Sequence, residues 1–288
     1  MAAVRAPDLS GLAAAAGLPN AQTHVWSLEP AGPAWDADDG RELYPASLIK
    51  LPLAVAAGAA IEEGRLSWDE AVTIDARNAT LNDASSPMVA GYRATVAELI
   101  AFMLQRSDNV ATNQLYDVLD RERATLDVRR LGFAGTAFRR KLSGSLPLID
   151  DPQATGRNAF PAREAAELLV AVARDRLPQS VRLREILATS WWDVKLSRGL
   201  EPGDTFAHKT GDTDEVSHDA GIATLDDGSR WVIVVCTDLP SSDEVDLRFG
   251  AFMRALRPHL AGAASPSNDG EGATREPANA PLDPSATE

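Results

Sequence analysis

The sequence predicts an α+β fold in which a five-stranded antiparallel sheet, flanked by helices, is interrupted by an all-helical insertion. Three observations carry this prediction. Apolar and polar residues alternate near the N-terminus, the stretch from Ser47 to Trp191 reads mainly in helical periods, and strand periodicity takes over at Thr205.

Met1 to Asn20 is alanine-rich, has Arg5 as its one cation, and has its longest apolar run at Leu12 to Ala16. It lacks the charged region and apolar core of a secretory signal, so residues 1–22 are set apart as an N-terminal segment. Thr23 to Leu28 alternates as a strand, and Asp36 to Gly40 is a turn leading to a second strand around Glu42 to Tyr44. A helix starts at Ser47 and stops at Gly64, which suits the left-handed position after a helix. Pro52 inside it predicts a distorted first turn. Thr95-Val96-Ala97-Glu98 is a capping box opening a helix that ends before Ser107, and further helices read at Val110 to Leu119, Pro161 to Arg174 and Ser180 to Trp191. The helical subdomain thus spans about 64–192. Strands follow at Thr205 to Thr210, His218 to Leu225 and Arg230 to Thr237, the last two joined through Asp226-Asp227-Gly228-Ser229. Asp243 to Leu260 closes the main domain, 23–260, as a helix. Residues 261–288 are aperiodic and rich in Pro, Ala, Ser and acids, and are expected to form a disordered acidic tail.

Three short motifs stand in order: Ser47-Leu48-Ile49-Lys50, Ser107-Asp108-Asn109 and Lys209-Thr210-Gly211. An S-x-x-K turns up about once by chance in a chain of this length, but a literal SDN and KTG together are expected on the order of 10⁻³ times. Acyl transfer explains why these residue types belong together. A serine hydroxyl needs a neighbouring base, and a lysine three residues on shares its helical face. Lys50 can act as that base only as a free amine, a state favoured by burial or by a second cation, for which Lys209 is the candidate. Ser107 could relay a proton to the leaving group, Asn109 could hold Lys50 or a substrate carbonyl, and the backbone N–H of Ser47 could stabilise an oxyanion.

On these motifs the chain resembles the penicillin-recognising serine hydrolases, closest to the class A β-lactamases and the β-lactamase-like hydrolases related to them. The resemblance runs from about Thr23 to about Leu260 and implies a β-lactamase/transpeptidase-like fold. It implies Ser47 as nucleophile, Lys50 as its activating lysine, and Ser107 and Asn109 as the second motif of the family. Lys209, Thr210 and Gly211 would lie on the strand bordering the cleft, with Thr213 just beyond, and the N–H groups of Ser47 and Asp212 would form the oxyanion hole.

The chain departs from that family at three places. Where class A β-lactamases carry E-P-x-L-N, with a glutamate that activates the deacylating water, this chain has Leu146-Pro147-Leu148-Ile149-Asp150. Leucine cannot accept a proton, and Asp150 or Asp151 are the acids that could take the role from a shifted backbone. Asp212 stands where the family has a small or hydroxyl residue, and would repel a substrate anion. His218 falls where many class A enzymes place an arginine that grips the substrate carboxylate; a neutral histidine binds an anion less well.

The formal net charge of −14 argues against nucleic acid as a partner. The most apolar stretch, Leu48 to Ile61, is too short for a bilayer and carries Lys50 and Pro52, so no membrane association is expected and the chain as written reads as a cytoplasmic monomer. Cys236 reads as a buried, inert thiol on a strand, and the four histidines (His24, His208, His218, His259) show no metal-ligand spacing; neither a metal nor another cofactor is expected. The expected activity is serine hydrolysis of β-lactams or related small amides and esters through an acyl-enzyme on Ser47. An esterase or D-alanyl peptide hydrolase, and a β-lactam-binding sensor that deacylates slowly, are the alternatives.

Overall fold

β1 (Gln22–Ser27) carries uniformly buried residues save Trp26, because it lies second from the edge of a five-stranded sheet and is covered on both faces. The computed structural model describes residues 6–264 except 83, 145, 148 and 150–155; the expected deacylation acids Asp150 and Asp151, and residues 265–288 of the expected tail, lie outside the described residues. The remaining strands are β2 (Ala34–Ala37), β5 (Thr205–Asp212), β6 (Ser217–Thr224) and β7 (Arg230–Thr237), in the order β2-β1-β7-β6-β5 and antiparallel throughout. β3 (Ala71–Thr73) and β4 (Arg93–Thr95) form a separate two-stranded ribbon inside the otherwise helical insertion.

The period-2 rule sorts the sheet's residues onto two cores. On β7, Val232, Val234 and Cys236 face the core shared with the insertion, whereas Trp231, Ile233 and Val235 face the opposite core. That opposite core is filled by α1 (Leu9–Ala15) and α8 (Asp243–Ala264), with Leu9, Ala13, Phe249, Phe252 and Leu256 buried. The first core is built around α2 (Lys50–Glu62), in which every residue from Lys50 to Ala60 is buried. A helix buried all round belongs in the centre of a domain, and α2 has α3 (Val96–Gln105), α4 (Asn109–Leu119) and α5 (Arg121–Arg130) among its neighbours. α6 (Ala162–Ala173) and α7 (Ser180–Leu187) complete the layer against the sheet. Burial pushes the Cys236 thiol up to about 12, so it is inert at neutral pH.

Several boundaries differ from the sequence reading. The second strand is Ala34–Ala37 rather than Glu42–Tyr44, because Trp35 is the residue that the core needs: it is buried and stacks on Trp231 with ring centroids 5.2 Å apart. The turn therefore follows this strand. The N-terminal segment contributes α1 to the core. α5 was not expected, since its arginines mask the buried face of Ala124, Asp127 and Val128. α7 ends at Leu187, so Trp191 and Trp192 sit beyond it, and α8 runs to Ala264, four residues into the expected tail. The capping box at Thr95 and Glu98 forms reciprocally.

Candidate active site

Ser47 lies in a 3₁₀ helix, Ala46–Ile49, that precedes α2, and Pro52 occupies the third position of α2. A proline there forfeits little, because first-turn N–H groups have no intrahelical partner. Ala46 has φ +46 and Ser107 has φ +58, so a non-glycine residue in the left-handed region stands on each side of the site. Asp108 caps α4 by accepting from the Ala111 N–H at 2.8 Å, which positions Ser107 and Asn109 on either side of a helix start.

These elements bring five expected residues into one hydrogen-bonded cluster. Lys50 is fully buried, and its Nζ lies 2.9 Å from Ser47 Oγ, 2.7 Å from the Ser107 carbonyl oxygen, 3.0 Å from Ser107 Oγ and 2.7 Å from Asn109 Oδ1. Lys209, also buried, donates to Ser107 Oγ at 3.0 Å and to the Thr210 carbonyl at 2.8 Å. Ser107 Oγ thus bridges two ammonium or amine groups. Asn109 is held in turn: its Nδ2 donates to the Leu81 carbonyl at 2.8 Å, and its backbone N–H donates to Asn82 Oδ1 at 2.6 Å. Its amide is committed to Lys50 and the neighbouring loop.

β5 is the edge strand beside this cluster. A Cβ on Gly211 would lie 3.1 Å from the Pro45 carbonyl oxygen and 3.2 Å from the Leu48 nitrogen, so glycine allows the strand to press against the turn that carries Ser47. The Thr213 hydroxyl accepts from the N–H groups of Glu215 and Val216 at 3.1 and 3.2 Å, which shapes the β5–β6 turn.

Asp212 differs from expectation. It is not a lone anion: its Oδ1 is 2.5 Å from Lys195 Nζ and accepts from Ser217 Oγ at 3.1 Å. Burial pushes the Asp212 carboxyl up, but the Lys195 ammonium beside it and the hydrogen bonds from Lys195, Ser241 and Ser217 hold it below the usual carboxylate range. Lys195 is fully buried in the 3₁₀ helix Lys195–Gly199, also donates to the His218 carbonyl at 3.1 Å, and lies 3.8 Å from Asp246 and 5.2 Å from the Phe249 ring centroid. It is a residue that the sequence reading missed, since a lone lysine ahead of a turn carries no motif.

His218 is a correction. It is fully buried on β6, a strand interior to the sheet, and cannot reach a substrate carboxylate. Its Nε2 lies 2.8 Å from the Tyr44 carbonyl oxygen, and its Nδ1 lies 2.9 Å from the Ser217 carbonyl oxygen and 3.2 Å from the Thr237 nitrogen. The ring staples the segment before Ser47 to the sheet. Burial pushes the imidazole down to about 4, which keeps it neutral. The unfolded imidazole titrates near 6.5 and the folded one near 4. Between those values the unfolded chain binds the extra proton, so stability should fall as pH falls, by about 3 kcal/mol in all. Urea unfolding of the wild type and His218→Gln at about pH 7 and about pH 4.5 checks this: the stability gap between them should narrow on acidification, and a constant gap would contradict it.

A family model described as the beta-lactamase enzyme family matches residues 8–255. The chain belongs to this family. It is accordingly a serine hydrolase of the β-lactamase-like kind, with a β-lactamase/transpeptidase-like fold. No curated protein sequence matches it. Among solved structures it is similar to PBP-A, at 24% identity, with 88% of this chain and 96% of that chain covered and a TM-score of 0.73. A mutant of PBP-A in which a leucine is changed to glutamate, solved as an acyl-enzyme complex with penicillin G, gives the same values. A β-lactamase from Sphaerobacter thermophilus is similar at 22% identity, with 87% and 96% covered and a TM-score of 0.74. At these identities the structural likeness speaks to the fold. Among the described residues no helix is long and apolar enough to cross a membrane.

Proposed function

We propose that the protein forms an acyl-enzyme on Ser47 with β-lactams or related small amides and esters, and that it releases the acyl group slowly. The observation that carries this reading is the bridge from Ser47 Oγ through Lys50 Nζ and Ser107 Oγ to Lys209 Nζ, each step 2.9 or 3.0 Å. Two of Lys50's neighbours, the carbonyl oxygens of Ser107 and Asn109, can only accept. As a free amine, Lys50 aims its lone pair at the Ser47 hydroxyl and shares its two N–H groups among the Ser107 carbonyl oxygen, Asn109 Oδ1 and Ser107 Oγ. Its burial, and the second lysine across Ser107, both disfavour the charged form.

In acylation, Ser47 Oγ attacks the substrate carbonyl carbon and passes its proton to Lys50. The N–H groups of Ser47, near the start of its helix, and of Asp212, on the edge strand, receive the oxyanion. The proton then reaches the leaving nitrogen or oxygen through Ser107, whose hydroxyl Lys209 polarises. Deacylation needs a base for water, and Leu146, at the place implied for the loop glutamate, is an exposed apolar side chain with no such capacity. That absence favours slow release, as in a binding sensor, over rapid β-lactamase turnover.

Charge at the strand end sets preference among acyl donors. Asp212→Asn frees the Lys195 charge, and kcat/KM should rise for anionic penicillins relative to a neutral p-nitrophenyl ester by about fivefold, on the order of 1 kcal/mol. Parallel steady-state assays of both substrates test this reading: equal effects on the two, or ester turnover alone with no penicillin acylation, would count against it.

A further inference from the structure

On the face of β5 opposite Lys209 lies a cavity of about 570 Å³ that the chemistry at Ser47 does not use. Ser190, Asp193, Ser197, Glu201, Phe206 and His208 line it. His208 is 3% exposed and stacks on Phe206 with centroids 4.7 Å apart. Its Nδ1 lies 2.8 Å from Oδ1 of the fully buried Asp219, whose other oxygen accepts from the Leu196 N–H at 3.0 Å. A carboxylate only accepts, so Nδ1 carries the hydrogen, and in the neutral ring Nε2 is left as an acceptor. Nε2 has no hydrogen-bond partner among the described residues, and His208 is one of the residues that line the cavity.

The surrounding charge selects the ligand. Asp193 and Glu201 are exposed at the rim, and no lysine or arginine is among the described lining residues. Asp204 also lines the cavity, but Arg257 holds its carboxylate at 2.7 and 3.0 Å. Among the described residues no group of three His, Cys, Asp or Glu side chains is placed to hold a metal, which favours an organic cation. We propose that this cavity binds a small organic ammonium compound, its N–H groups on His208 Nε2 and the carboxylates of Asp193 and Glu201, and its apolar body against Phe206.

Two links join the cavity to the Ser47 site. His208 precedes Lys209 on β5, and Trp191, next to the lining residue Ser190, donates its backbone N–H to the Gln105 carbonyl at 3.0 Å, two residues before Ser107. Occupancy should therefore change the rate of Ser47 acylation. That consequence rests on the function proposed above, whereas the binding does not.

Calorimetric titration of the whole protein with benzylamine, with benzyl alcohol and benzoate as controls, separates the two. Benzylamine should bind saturably, in the range of millimolar Kd, with the His208 Nε2 resonance moving in ¹⁵N–¹H long-range spectra. Benzyl alcohol and benzoate should not bind. The double variant Asp193→Asn, Glu201→Gln changes only exposed side chains, so it should stay folded and weaken benzylamine at least about fivefold. Undiminished binding to that variant, equal binding of benzyl alcohol, an unmoved His208 resonance at saturation, or no saturable binding at tens of millimolar would each overturn the proposal. An altered Ser47 acylation rate with benzylamine bound supports the coupling.

Discussion

Lys50→Ala should slow acylation of Ser47 by about 10³-fold or more, the range that general-base catalysis supplies. The side chain removed is fully buried and holds Ser107 and Asn109 as well as Ser47, so part of any loss could come from a loosened site. Ser107→Gly separates the two contributions. Glycine adopts the observed φ of +58 without strain while deleting the bridging hydroxyl, so this variant should fold at least as well as the wild type and yet acylate about 10²-fold more slowly. Stopped-flow acylation by a chromogenic cephalosporin, alongside thermal melts, gives both readouts. A Lys50→Ala protein that acylates at the wild-type rate would remove Lys50 from the mechanism.

With penicillins or cephalosporins, a burst equal to the enzyme concentration should precede slow turnover, because nothing at Leu146 can activate water. The chain just before Leu146 is anchored at two residues: Asn113 of α4 accepts from the Leu142 N–H at 2.7 Å and donates to the Leu142 carbonyl at 2.9 Å, and Lys141 donates to Asn78 Oδ1 at 2.7 Å. A carboxylate introduced at Leu146 is therefore presented from an anchored segment. Leu146→Glu should speed deacylation by about 10²-fold or more and shrink the burst relative to steady state. If Asp150 or Asp151 already serves as the base, Asp150→Asn or Asp151→Asn should slow release instead. Fast linear hydrolysis insensitive to all three changes would place the base elsewhere.

Much of this site was legible because the chemistry dictates residue types in order along the chain. Ser47, Lys50, Ser107 and Lys209 can be paired on paper, and the β-branched apolar run within Arg230 to Thr237 marks a strand. What was not legible depends on long-range pairing. Lys195, in the 3₁₀ helix Lys195–Gly199, and Asp212, on β5, are joined with no motif to connect them. His218 was read as a substrate group because of its place in the resemblance; its position on an interior strand, where a polar ring must find backbone partners, gave a better signal. The second strand lies before, not after, the polar segment Asp36 to Gly40, because the packing of Trp35 on Trp231, a long-range contact, sets its place. α5 was hidden by surface arginines that obscure its short buried face.

Covalent acylation of Ser47 is read out by intact-mass and peptide-mapping spectra after brief exposure to penicillin G. The wild type should gain one penicilloyl mass confined to the peptide containing Ser47, and Ser47→Ala should gain none while keeping its thermal stability. An adduct that persists in Ser47→Ala, or that maps to another residue in the wild type, would contradict the account.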